Sequence, residues 1–162
     1  MQISEPVTML TDYALGAAGL FFAFSLFRII DSTNRAPVRL WGIGFAAEAI
    51  AALAGGAYHG FALHLDASAV RALWNVTTVA IGMSAGFMIS GVVASSIRKG
   101  DESRVWLIRG LLLTLAGFMV QQTGFRFGLH FNHNDIFHVM QMGALYLFFK
   151  GARLLKDPRQ HE

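Results

Sequence analysis

Five long apolar stretches, each parted from the next by a short polar segment, restrict this chain to a helical bundle in lipid. They run over about 7–30, 38–60, 70–96, 105–124 and 135–155. A helix needs about 20 apolar residues to cross the hydrocarbon core, whereas a barrel strand needs only about ten and alternates strictly. These stretches are too long and too continuous for strands. Backbone groups in a bilayer must be satisfied within the segment itself, so helices are the remaining solution. Composition agrees: 54% of the 162 residues are hydrophobic and 14% are charged, against about a quarter charged in soluble domains. The fold class expected is all-α, an integral membrane bundle of about five transmembrane helices in a single domain over residues 1–162.

Polar breaks separate the stretches. DSTNRAP ends the first, with Pro37 opening the second, and the segment around His64, Asp66 and Ser68 precedes the third. Basic residues then orient the bundle. Arg28, Arg35 and Arg39 flank the first connection, and Arg98, Lys99, Arg104 and Arg109 flank the third. Lys150, Arg153, Lys156 and Arg159 lie at the C-terminal end, which makes eleven of the 13 Lys and Arg. Five helices bring these three regions to one side and leave Arg71 and Arg126 on the other. The positive-inside rule makes the C-terminus cytoplasmic and the N-terminus external, in a multi-pass protein of the inner (plasma) membrane. The net charge of +3 is accounted for by loops facing anionic headgroups. No basic stripe with interleaved aromatics occurs, so nucleic acid is not an expected partner. The N-terminus lacks a basic n-region, and no cleaved signal peptide is expected. Cysteine is absent, which excludes disulfides and thiolate metal ligands.

Small residues in the second stretch (AAEAIAALAGGA) and the pair Gly82 and Gly86 in the third predict close helix packing. The polar residues concentrate at one end. His59, His64, His130, His133 and His138, with Asp12, Asp66 and Asp135, all fall on the external side, and only His161 lies at the other. Asn75, Gln121, Gln122 and Arg126 sit in the outer parts of their helices. Polar groups in hydrocarbon are costly and are expected to face inward. Glu48 lies deeper. It precedes His59 by eleven residues, three helical turns, which puts both on one face roughly 16 Å apart along the axis. Two readings stand: a proton path or cavity reaching mid-membrane, or a protonated Glu48 hydrogen-bonded to a neighbouring helix.

The densest polar run is HFNHNDIFHVMQ, residues 130–141. Asn134 or Asp135 is expected to cap the fifth helix, with His138 about a turn inside and Gln141 beside it. His59, His130, His133 and His138 supply enough ligands for a zinc ion with one position open to water. Asp135, Asp12 or Glu48 would hold or move the proton of that water. On a continuous helix His133 and His138 diverge by about 140°, so they share a metal only if His133 lies outside the helix. The other reading of these histidines is a wet interfacial cluster that caps, hydrogen-bonds or faces headgroups.

The run IFHVMQMGALYLFF resembles the last-helix motif of the CREST superfamily, which includes alkaline ceramidases, Per1-type proteins and progestin/adipoQ receptors. That resemblance implies a zinc-dependent membrane hydrolase whose last helix carries HxxxH, with a further histidine from an early helix. His138 matches the second histidine of the pair, and His59 in GGAYHG is similar to the early one. Asn134 stands where the first should be, and the superfamily has seven helices rather than five. The likeness covers about twenty residues of the fifth helix and a few around His59. As a whole the chain resembles a family of small bacterial membrane proteins with the same TDYAL, GGAYHGF and FNHNDIFH segments, which implies no established activity.

Three functions are therefore expected in competition. One is a zinc-dependent hydrolase of a lipid or amide at the external leaflet. The second binds haem b between His59 and His138, on two helices at similar depth. The third is a non-enzymatic membrane subunit, small transporter or assembly factor with a membrane protein as partner. Membrane lipids surround all three.

Overall fold

The computed structural model describes residues 3–125, 128 and 131–157. The expectations at Arg126, His130, Arg159 and His161 lie outside the described residues. The described chain forms five α-helices: α1 (Pro6–Phe27), α2 (Arg35–Phe61), α3 (Ala67–Val93), α4 (Glu102–Thr123) and α5 (His133–Ala152), with a 3-10 turn at Ala62–His64. Each begins one to three residues before its apolar stretch, because the first turn of a helix accommodates polar and capping residues. Pro6 opens α1, where its missing N–H has no partner to lose. Asp66 caps α3 by accepting from Ser68 N and Ala69 N. The α4 helix ends at Gly124, whose φ of +66° suits a residue without Cβ.

Packing runs in the order α3, α2, α1, α5, α4, with neighbours in extended contact along that series. The α2 helix is central: 56% of its membrane-length window is buried, against 22% in α3 and 17% in α4. Glycines allow α1 and α2 to approach closely. A Cβ on Gly19 would lie 3.1 Å from Phe45 O, and one on Gly16 would meet Leu53 at 3.0 Å. The expectation for Gly82 and Gly86 is corrected. Both are exposed, and a Cβ on either would meet nothing within 4 Å, because the packing of α3 on α2 uses a different face.

The ends of the bundle differ. At one, Ser96 N donates to Lys156 O at 3.1 Å and Asp157 N donates to Thr33 O at 2.7 Å. The two basic connections and the basic end of α5 thus meet at a single pole. Here Lys150 lies 3.6 Å from the Trp106 ring centroid, and Arg28 and Arg153 sit over Phe24 and Phe149. Leu26, Val38, Trp41, Phe45, Ala152 and Leu155 form the core beneath, with Phe22 stacked on Phe149 at 4.9 Å. At the opposite pole stand His59, His64, His133 and His138.

Four helices, α1 to α4, are long and apolar enough to cross a membrane. The α5 helix has 20 residues, but His133, Asn134, Asp135, His138 and Gln141 make its first half polar.

Candidate functional site

An elongated cavity of about 1100 Å³ lies between α3 and α4, walled behind by α1, α2 and α5. It exists because α3 and α4 close on their inner neighbours and not on each other. Most of the wall is apolar, from Ile81, Met88 and Ile89 on α3 to Ile108, Leu111 and Phe118 on α4. Several of these side chains are exposed, so the cavity opens sideways between the two helices. Polar groups gather toward the histidine pole: Asp12, His59, Gln121, Asn134, His138 and Gln141, with Glu48 deeper and Arg104 near the basic pole.

The central pair is Asp12 of α1 and His138 of α5. Asp12 is 4% exposed, and its Oδ1 lies 3.3 Å from His138 Nε2. The other ring nitrogen, Nδ1, is 3.0 Å from Thr11 Oγ1. Thr11 spends its own proton on the carbonyl of Thr8, at 3.0 Å. It therefore accepts from Nδ1–H, which leaves a single shared proton between Nε2 and Asp12. The second carboxyl oxygen, Asp12 Oδ2, is buried without a hydrogen-bond partner. Gly55 of α2 makes room for it, since a Cβ there would stand 3.3 Å from Oδ2.

His59, in the last turn of α2, is held from the other side. Its Nδ1 is 3.1 Å from Glu5 Oε2, and Glu5 N donates to His59 O at 3.0 Å. Tyr58 stands between His59 and Trp74, with ring centroids 5.2 Å and 5.3 Å away.

Asp135 has a different place from the one spacing suggests. It is fully buried and does not line the cavity. Its Oδ1 accepts from Thr8 Oγ1 at 2.8 Å and its Oδ2 from Asn132 N at 2.7 Å. Asn132, and not Asn134 or Asp135, is the N-cap, and Asp135 completes a capping box. The helix consequently starts at His133. That puts His133 and His138 about 140° apart on one helix, and His133 does not line the cavity.

Of the four histidines expected to hold zinc, His130 lies outside the described residues. Among the described residues no three His, Asp or Glu side chains gather as a metal site. His59 is tied to Glu5, and both nitrogens of His138 are engaged. Axial ligation of haem by His138 would likewise require breaking its contact with Asp12. His64, in the 3-10 turn, is exposed and outside the cavity.

Glu48 lines the cavity on the same side of α2 as His59. Gln141 Oε1 accepts from Thr114 Oγ1 at 3.4 Å, while its Nε2 is buried without an acceptor. Across the rim, Gln121 Nε2 donates to Asn134 Oδ1 at 3.2 Å. Glu5, Thr8 and Thr11 were not singled out by the sequence. Their signal was there: Glu5, Thr8 and Asp12 recur at three and four residues, one face of a helix.

A model for a family of unknown function (DUF6962) matches residues 7–108 and 86–157 of the chain. No curated protein and no solved structure matches it, so the local likeness of α5 to the CREST superfamily has no counterpart in these comparisons.

Proposed function

The chain belongs to this family of unknown function, and from its geometry we propose that it binds an amphiphile taken from the bilayer and does acid–base chemistry on its polar end. The observation that carries this is the Asp12–His138 pair, 3.3 Å apart, at the polar end of a cavity that opens sideways through apolar walls. A lipid chain enters between α3 and α4 without crossing a polar surface. Its polar end then meets Asp12, His138 and Gln141.

The residues present suit hydrolysis of an ester or amide. Gln141 Nε2, buried and without an acceptor, is a donor for the substrate carbonyl oxygen and for the negative charge that grows there. Asp12 takes the proton of a water through its free oxygen, and the hydroxide adds to the carbonyl carbon. The same proton returns to the leaving alcohol or amine as the carbon–heteroatom bond breaks. His138 holds Asp12 through both charge states, and Thr11 fixes the ring.

The membrane placement belongs to this reading. Five spans bring the basic residues of three segments to one pole, which the positive-inside rule makes cytoplasmic. The site then faces the outer leaflet of the plasma membrane. A second reading rests on the gap between α3 and α4 together with the exposed Gly82 and Gly86: a membrane subunit whose partner helix fills the gap.

The test is a panel of lipid esters and fatty amides incubated with the purified protein in nanodiscs, alongside Asp12→Asn, His138→Ala and Gln141→Leu. Turnover of one class, lost in Asp12→Asn and His138→Ala, supports the reading. Equal rates for wild type and both variants across the panel contradict its chemical half. Metal analysis of the same sample settles zinc: one equivalent lost in His138→Ala would require a rearranged site.

A further inference from the structure

The polar end of the cavity carries an excess of acidic groups. Asp12 lines it and Glu48 lies deeper on the same cavity wall, with Glu5 paired to His59 and Asp135 to Thr8 nearby. Among the described residues the one Lys or Arg lining the cavity is Arg104, at the start of α4 and so at the opposite pole. The clustering alone would say little, since Glu5 and Asp135 have partners. Asp12 differs. It is 4% exposed, yet Oδ2 has no donor. A buried acceptor left unpaired costs about 1–3 kcal/mol, so a group that brings an N–H to this oxygen is favoured.

From these observations, and resting on the amphiphile reading above, we infer that the ligand's head group is an amine, held as ammonium at Asp12, with the Glu48 carboxyl deeper on the same cavity wall. An ammonium supplies three donors and a positive charge. A hydroxyl supplies one donor and no charge. A carboxylate or phosphate supplies acceptors only, and meets the carboxyls of Asp12 and Glu48 with no Lys or Arg beside them among the described residues. The ring of Trp74 lines the same end and offers a face to a cation. The inference therefore selects long-chain amines, and lipids bearing a free amino group, over neutral and anionic lipids.

The experiment uses the full chain in nanodiscs of zwitterionic lipid. A neutral, fluorescent alkyl probe is followed by energy transfer from tryptophan. Dodecylamine, dodecanol and dodecanoate, compared at equal mole fraction in the bilayer, then compete for it. For wild type the amine is expected to displace the probe at least tenfold more effectively than the alcohol. In Asp12→Asn and in Glu48→Gln, with probe affinity retained, that preference falls below threefold. Equal displacement by amine and alcohol in wild type, or a preference for dodecanoate, overturns the inference and leaves the cavity reading standing. A preference for the amine that persists in both variants overturns it as well. A probe that wild type does not bind contradicts the cavity reading itself, and the inference falls with it.

Discussion

His138 Nε2 of α5 lies 3.3 Å from Asp12 Oδ1 of α1, and this contact joins the first and last helices beside the cavity. The two residues are unequal partners. Thr11 holds His138 from its other nitrogen, whereas Asp12 has no second partner. Removing the histidine therefore strands a buried carboxyl with both oxygens unpaired. Removing the charge of Asp12 leaves an amide that still meets the ring. Thermal unfolding in detergent should show His138→Ala less stable than wild type by about 1–3 kcal/mol, with Asp12→Asn closer to wild type. The reverse order would mean that the contact does not hold Asp12. Any hydrolysis found should fall by about 10²–10⁴ in Asp12→Asn, the usual worth of a general acid–base group.

Gly55 and Gly82 make a matched pair of tests. An added methyl at Gly55 would stand 3.3 Å from Asp12 Oδ2, while one at Gly82 would meet nothing within 4 Å. Alanine at either position improves helix propensity, by up to about 1 kcal/mol. Gly82→Ala should accordingly keep or raise the melting temperature and leave probe binding unchanged. Gly55→Ala should weaken the preference for amine over alcohol by shifting Asp12. Weakened binding in Gly82→Ala instead would favour the partner-helix reading of the exposed α3 face.

Asp135 is expected to act on the fold and not on the chemistry. It receives Thr8 from α1 and the Asn132 backbone from its own helix start. Asn132→Ala removes the cap and should cost about 1 kcal/mol. Asp135→Ala also strands the Thr8 hydroxyl and should cost more, by melting temperature. Amine preference over alcohol should persist in Asn132→Ala, which alters no cavity residue.

Asp66 supplies a pH dependence outside the membrane spans. Hydrogen bonds from Ser68 and from the backbone N–H of Ala69 and Ser68 hold its carboxyl below the ordinary 3.8. With the folded value depressed, the capping contribution is fully present above the unfolded value and is lost as pH falls through the folded one. Amide exchange at Ser68 and Ala69 should therefore quicken in excess of its intrinsic pH trend only below about pH 4. In Asp66→Ala it should already be fast at neutral pH.

Much of this arrangement was legible in the sequence. Apolar stretches mark all five helices, and the polar pattern points to Asp12, Glu48, His59 and His138, all four of which line the cavity. What spacing could not supply was partnership. Glu5 pairs with His59 across two helices, and no local pattern announces a contact between distant segments. Asp135 and His133 show the second limit. Whether the cap is Asn132 or Asn134 depends on a few backbone angles, yet it decides that Asp135 is buried in a capping box and that His133 points away from His138. Gly82 and Gly86 show a third: small residues permit close packing but do not require it. A cavity reaching Glu48 is one of the two readings the sequence offers; its sideways opening is not legible there, because it results from α3 and α4 failing to meet.

The most direct test of the account is where a bilayer amphiphile sits. A diazirine-bearing alkyl amine, irradiated with the protein in nanodiscs, can be mapped by peptide mass spectrometry with and without excess unlabelled amine. The account expects competable labelling of Ile81, Ala85 and Ile89 on α3 and of Ile108, Leu111 and Phe118 on α4, the walls of the cavity. Labelling confined to outward positions such as Val79, Met83, Leu112 and Met119, and unaffected by competitor, would contradict it.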